Sequence, residues 1–191
     1  MNKHEFVVRY RLHQLTAAIT SAPSSYRGRQ AAVLIPIIEI EQHLHIILTQ
    51  RAMHLRHHPG QISFPGGKVE PFDSNAIETA LREAHEEIGL TADNVEVLGV
   101  FPAHKTFTGF EITPVIALVK QPFELLIDPG EVADCFTVPL SFFIDHNNRH
   151  QVFHYRHGKR YHVHFMPFEE RFIWGVTAAI IDLLCRHITE K

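Results

Sequence analysis

The sequence predicts an α+β protein in which one mixed β-sheet is sandwiched between helices, the whole forming a single domain over residues 1–191. Three observations point there. The chain has 191 residues, 45% of them hydrophobic and 20% charged, which is enough apolar material for one sizeable core. Short β-branched runs and longer amphipathic runs follow one another without a regular βαβ alternation, which argues against a doubly wound parallel sheet. No repeat, low-complexity tract or linker divides the chain.

The elements follow from local pattern. Phe6, Tyr10, Leu12, Leu15, Ala18 and Ile19 recur at helical spacing and predict an N-terminal helix, broken by the stretch from Ala22 to Arg29. Ala31–Ile40 is rich in β-branched residues, with Pro36 as its irregularity. His45–Thr49 predicts the next strand, and Glu41-Gln42-His43 supplies the turn between them. From Gln50 to Gln61 the chain is polar and irregular, and Phe64-Pro65-Gly66-Gly67 then forces a tight connection. A helix follows, with Asp73 or Ser74 as cap and Gly89 as its left-handed stop. Ile77, Leu81, Ala84 and Ile88 give that helix an apolar stripe. Val95–Phe101 and Ile112–Val119 predict strands, residues 121–130 a loop, and Cys135–Val138 a short strand. Gln151–Arg156 and Tyr161–Met166 predict a hairpin about His157-Gly158-Lys159. An amphipathic helix from Ile173 to Ile188 ends the series.

Composition excludes several function classes. A net charge of −3 gives no reason to expect nucleic acid as a partner. No apolar run reaches the roughly 18 residues a membrane span needs, and the first fifteen residues lack the apolar core of a signal peptide. The two cysteines, Cys135 and Cys185, stand outside any close-spaced metal pattern, so free thiols and a cytoplasmic location are expected. Sixteen histidines are scattered along the chain. His154 on one predicted hairpin strand, and His162 and His164 on one face of the other, raise a transition-metal site. No carboxylate or cysteine accompanies them at ligand spacing, which favours a half-exposed polar face.

The chemistry concentrates in Arg82-Glu83-Ala84-His85-Glu86-Glu87-Ile88-Gly89-Leu90. Residues three and four apart share a helix face, so Glu83, Glu86 and Glu87 converge. Like charges at that spacing repel, and a hard divalent cation that prefers carboxylate oxygen relieves the repulsion. Arg82 lies four residues from both Glu78 and Glu86, where it can brace carboxylates.

Taken as one stretch, Gly67 to Leu90 resembles the Nudix box, G-x5-E-x7-R-E-U-x-E-E-x-G-U with U aliphatic. Arg82, Glu83, Glu86, Glu87 and Gly89 match, Leu90 fills the last aliphatic position and Ala84 stands as a small substitute at the earlier one. In the front half Asp73 replaces the first glutamate, and eight residues separate it from Arg82. Either Asp73 or Glu78 is available to orient that arginine. Just upstream, Leu48 to Gly67 is similar to the signature of one Nudix subfamily, the coenzyme A pyrophosphatases: L-T-x-R-(S/A)-x3-R-x3-G-x-(V/I)-(S/A)-F-P-G-G. The match is complete, and Trp174-Gly175-Val176-Thr177-Ala178 also looks like that subfamily's closing segment.

The resemblance implies a Nudix fold and a small-molecule substrate, coenzyme A or a derivative. It implies hydrolysis of the diphosphate to 3′,5′-ADP and 4′-phosphopantetheine or its acyl form. It implies magnesium or manganese held by Glu83, Glu86 and Glu87. Arg51, Arg56, Gly66 and Gly67 are then the expected substrate contacts, because guanidinium forks suit phosphate oxygens and glycines admit a ligand close to the backbone. His57 and His58 stand beside them. A further carboxylate, as ligand or base, is expected from a loop after the box. Glu131, after Asp128-Pro129-Gly130, is the candidate, ahead of Glu111 and Glu124. The alternatives are a Nudix hydrolase of NADH, ADP-ribose or an oxidised nucleotide, and a Nudix-fold binding module without turnover.

Overall fold

Leu34, Ile35 and Ile37 of one strand are all fully buried, so that strand is covered on both faces. It is β1, Arg29–Ile40, and it lies inside the main sheet of this computed structural model, which describes residues 1–12, 28–106, 108–156 and 159–189. β1 runs parallel to β7, Phe110–Val119, from Arg29 opposite Phe110 to Ile37 opposite Leu118. On its other side β1 has two successive partners. Ala31–Val33 pair with β4, Gly66–Lys68, and Ile37–Ile40 pair with β2, His43–Arg51. Pro36 falls in the gap between them. The Leu34 amide on that side still donates to the Pro65 carbonyl (2.9 Å), but two residues on no strand is there to receive a donor, and proline lacks one.

The β1–β2 turn consists of Glu41 and Gln42, both left-handed (φ 49° and 66°), a mirror-type two-residue hairpin made without glycine. β3, Ile62–Ser63, and β8, Val132–Pro139, flank β2. β8 begins three residues before the predicted strand. β5, Val95–Val100, and the short β6, His104–Lys105, pair with β7. Parallel and antiparallel pairs thus share one sheet, as expected.

Strand alternation sorts the core into two layers. Ala32, Leu34, Ile47, Val115 and Ala117 face α2, Ala76–Ile88. Its small Ala80 and Ala84 admit the helix close to the sheet, and its Ile88 is fully buried. The predicted stripe is therefore shifted: Ile77 and Leu81 are only partly buried. Ile35, Ile37, Ile46, Leu48, Ile116 and Leu118 face the opposite way, toward α1, Lys3–Leu12, α3, Leu140–Ile144, and α4, Gly175–Thr189. Of the N-terminal stripe, Phe6 and Tyr10 are buried and Leu12 is exposed, while Leu15, Ala18 and Ile19 lie outside the described residues.

The predicted hairpin forms as β9, His150–Arg156, and β10, Lys159–Phe168; His157 and Gly158 of its turn also lie outside the described residues. It is extended by β11, Arg171–Trp174, into a separate three-stranded sheet. This corrects the start of the last helix. Ile173 pairs with Met166 in the sheet, and left-handed Gly175 (φ 66°) marks the change to helix. The short helix α3 carries no sequence signal long enough to be read.

Candidate active site

The α2 helix is capped by neither Asp73 nor Ser74. Asn75 Oδ1 accepts the amides of Ile77 (2.9 Å) and Glu78 (3.1 Å), and Glu78 reaches back to the Ser74 amide (2.8 Å). Asp73 is engaged elsewhere. Its two oxygens accept from Arg82 Nε (3.0 Å) and Nη2 (2.9 Å), a forked pair, and Thr79 adds a third bond (2.9 Å). These bonds, Arg82 first, hold the Asp73 carboxyl well below the usual carboxylate range. The same guanidinium donates to Glu83 Oε1 (2.9 Å), Glu86 Oε2 (3.0 Å) and the Lys68 carbonyl (3.2 Å). Asp73, not Glu78, is thus the acidic partner of Arg82.

The helix ends as read. Gly89 is left-handed (φ 75°), and its amide and that of Leu90 return to the carbonyls of His85 and Ala84. What the sequence hid is the role of this end as an anchor. The Leu126 amide donates to the Ile88 carbonyl (3.2 Å) and the Asp128 amide to the Glu87 carbonyl (3.1 Å). Residues 120–131 are thereby hung across the last turn of α2. Asp128 Oδ1 holds the turn at Gly130 (2.8 Å), and the Ala52 amide fixes the Glu131 carbonyl (2.9 Å). β8 then starts at Val132, opposite Arg51.

These connections bring Glu83, Glu87 and Glu131 together, with one carboxylate oxygen from each within 4.8 Å of the others. Among the described residues no other three metal-capable side chains meet in this way, the hairpin histidines included. Glu86 is outside the group: its side chain is 56% exposed and lies on Arg82. Glu111 accepts from Gln30 (3.0 Å), and Glu124 is exposed on the loop; neither joins.

The three carboxylates are unequal. Glu131 is exposed and Glu83 partly buried, but Glu87 is only 4% exposed and its Oε2 has no hydrogen-bond partner. Burial, then the charges of Glu83 and Glu131, push the Glu87 carboxyl up to about 8, against the pull of Arg51 and the Gly66 backbone. Burial also pushes Glu83 up, countered by Arg82. A buried carboxylate with an orphaned oxygen and two like charges beside it is a donor set suited to a hard divalent cation.

Gly67 completes the wall. A Cβ there would stand 2.4 Å from the Glu83 carboxylate, so only glycine leaves that carboxylate room. At Gly66 a Cβ would meet the Ala32 carbonyl at 2.4 Å, so its absence lets β4 lie on β1. Arg51 is half-buried beside Glu87, while Arg56, His57 and His58 are exposed on the following loop. Cys135 sits in β8 opposite Thr49, and burial pushes its thiol up to about 12, so it is neutral.

A family model described as NUDIX domain matches residues 28–156. The chain belongs to the Nudix family. Among its relatives, NudL of Enterobacter sp. (strain 638), a Nudix hydrolase described as uncharacterized, is 41% identical over 163 residues, covering 85% of this chain and 84% of the relative. NudL of Shigella flexneri serotype 5b is 38% identical over 187 residues, covering 98% and 95%. A Nudix hydrolase from M. smegmatis, RenU, superposes with a TM-score of 0.52 at 23% identity, over 66% of this chain and 80% of that one. A MutT/nudix family protein from Enterococcus faecalis gives 0.51 at 16%, over 97% and 68%. At these identities the two structures bear on the fold alone, which is the α+β Nudix fold. The expected fold therefore stands. As a Nudix family member the chain is read as a hydrolase of nucleoside diphosphate-linked substrates, and such enzymes use divalent metals. No described helix is long and apolar enough to cross a membrane.

Proposed function

We propose that this Nudix hydrolase, acting as one domain over residues 1–191, cleaves the diphosphate of coenzyme A or a derivative. The products are 3′,5′-ADP and 4′-phosphopantetheine or its acyl form. One observation carries the reading. The segment similar to the coenzyme A pyrophosphatase signature, Leu48 to Gly67, walls the carboxylate group: it sets Arg51 beside Glu87 at one end and bare Gly67 against Glu83 at the other. The intervening loop is folded back by bonds from the Arg51 amide to Gln61 (3.0 Å) and from the Gly60 amide to Arg51 (3.1 Å).

Acidic side chains cannot bind a diphosphate directly. Glu83, Glu87 and Glu131 would hold magnesium or manganese, which when bound neutralises phosphate oxygens and makes water a stronger nucleophile. The chain's own residues do the rest. Arg82, locked by Asp73, fixes the Glu83 carboxylate and draws Glu86 away from the trio. Glu131, the most accessible of the three, takes the proton from the attacking water. Arg51 and Arg56 donate to phosphate, one of them to the 3′-phosphate, and Gly66 and Gly67 admit the ligand to the backbone.

Parallel assays of CoA, NADH and ADP-ribose with magnesium or manganese test this. CoA should give the highest kcat/KM, and 3′,5′-ADP should appear in step with 4′-phosphopantetheine. Faster turnover of NADH or ADP-ribose would leave the hydrolase and remove its substrate, and no turnover of any would point to a binding module.

A further inference from the structure

The β9–β10–β11 sheet covers the body of the molecule with one face. His164, Met166 and Ile173 point inward and are buried, the last two in the core shared with α4. An antiparallel sheet with one covered face ordinarily turns polar side chains to water on the other. Here the outward positions are apolar. Register and alternation put Val152, Val163, Phe165, Pro167, Phe172 and Trp174 on the outer face. Phe165 stands opposite both His150 and Trp174, and its ring stacks on His150 (5.2 Å) and Phe172 (5.8 Å), which joins the three strands into one patch. The patch is open: Val152 is 49% exposed, Phe172 54% and Trp174 44%. Fixed charges lie only at its two ends. β10 starts at Lys159, paired with Arg156, and Arg160 follows; beyond its other end come Glu169 and Glu170, in the exposed turn to β11. Ten residues of strand at about 3.3 Å each set the basic and acidic ends about 30 Å apart.

We propose that this face is the contact surface between two copies of the chain, stacked sheet on sheet about a two-fold axis that runs across the strands. Such an axis reverses the strands of one copy relative to the other. It lays the basic end of each sheet over the acidic end of its partner, and the uncharged middle over itself. An axis along the strands would set like charges together at both ends, so the charge order selects the first arrangement. The area suits a dimer. About half of Phe172 and of Trp174 is exposed, about 100 Å² each, and the other four side chains with His150 and Tyr161 bring the patch to about 500 Å² per chain. Two copies then hide about 1,000 Å², the lower bound for a specific interface, which fits a reversible dimer of micromolar affinity.

Trp174 is the sole tryptophan of the chain, so its fluorescence reports on this face alone. The test is sedimentation velocity of the full chain from about 1 to about 200 μM, with acrylamide quenching of Trp174 at the same concentrations. A monomer–dimer equilibrium is expected, with quenching falling as dimer forms. Phe172→Glu should weaken the dimer at least about thirtyfold. Glu169→Lys/Glu170→Lys, two changes at exposed positions, should weaken it about tenfold. A wild-type protein that stays monomeric over the whole range overturns the proposal, whether Trp174 is open or shielded. A dimer whose Trp174 is quenched as readily as that of the monomer overturns it equally, because the contact then lies elsewhere. Both of these readings use the wild type and need no variant to fold. Unchanged affinity in Glu169→Lys/Glu170→Lys would overturn the two-fold arrangement.

Discussion

Replacing Glu87 by Gln should make the metal-free protein more stable and abolish its response to metal. The buried carboxyl, ordinarily near 4.5, is pushed up to about 8. Between those values the unfolded chain gives up the proton while the folded protein keeps it. The folded state therefore binds more protons, and metal-free stability falls as pH rises from about 4.5 to about 8, then levels off. At about 1.4 kcal/mol per pKa unit, the loss by pH 7 is of order 3 kcal/mol. Glu87→Gln keeps the shape and removes the charge. In a chelator near neutral pH the variant should melt above the wild type by roughly 6–12 °C, at about 2–4 °C per kcal/mol for a chain of this size. Comparing the two proteins at each pH cancels the titrating groups that lie away from Glu87, and the gap should close toward pH 4. Added magnesium should raise the wild-type melting temperature and leave that of the Glu87→Gln variant where it was. A variant that melts below wild type in chelator, or that gains equally from magnesium, refutes the assignment of Glu87 to a cation site.

Three further outcomes follow from the same geometry. Gly67→Ala puts a methyl group 2.4 Å from the Glu83 carboxylate, so it should weaken metal binding about ten- to a hundredfold. Its melting temperature in chelator should stay close to wild type, because the flexible end of Glu83 can give; calorimetric metal titration beside a thermal melt reads both. Arg82→Lys loses the forked bond to Asp73 and can keep few of the contacts to Glu83, Glu86 and Lys68, so kcat should fall at least about tenfold, while Glu78→Gln, which touches only the helix start, leaves kcat unchanged. Arg51→Ala or Arg56→Ala should depress kcat/KM for CoA more than for dephospho-CoA, about ten- to a hundredfold in the ratio; an unchanged ratio in both places the 3′-phosphate elsewhere.

Legibility in the sequence followed the range of the interactions. The β1, β2, β5 and β7 strands and the end of α2 at Gly89 were readable, because pleat alternation and a left-handed glycine are set by near neighbours. The helix start was misread because Asp73, Ser74 and Asn75 are all good caps locally. A contact nine residues away decides between them: Arg82 claims Asp73, and Asn75 is left to cap. Trp174 and Ile173 scan as the first turn of an amphipathic helix, yet pairing with Phe165 and Met166 holds them in a strand. Tertiary pairing overrode local propensity at both places.

The site shows the same division more sharply. Helical spacing alone brings Glu83, Glu86 and Glu87 to one side of α2 and treats them alike. Two tertiary contacts break that equivalence. Arg82, fixed by Asp73, holds the exposed Glu86 carboxylate, whereas the Glu87 carboxylate is buried with its Oε2 unpartnered. The vacated third place is filled by Glu131, far along the chain from Glu87, because the amides of Leu126 and Asp128 use the free carbonyls at the helix end as their acceptors. Those carbonyls are unpaired in any helix. The structural need to satisfy the end of α2 is therefore what delivers the last carboxylate to the site, and shortening residues 120–131 should cost metal affinity and helix-end stability together.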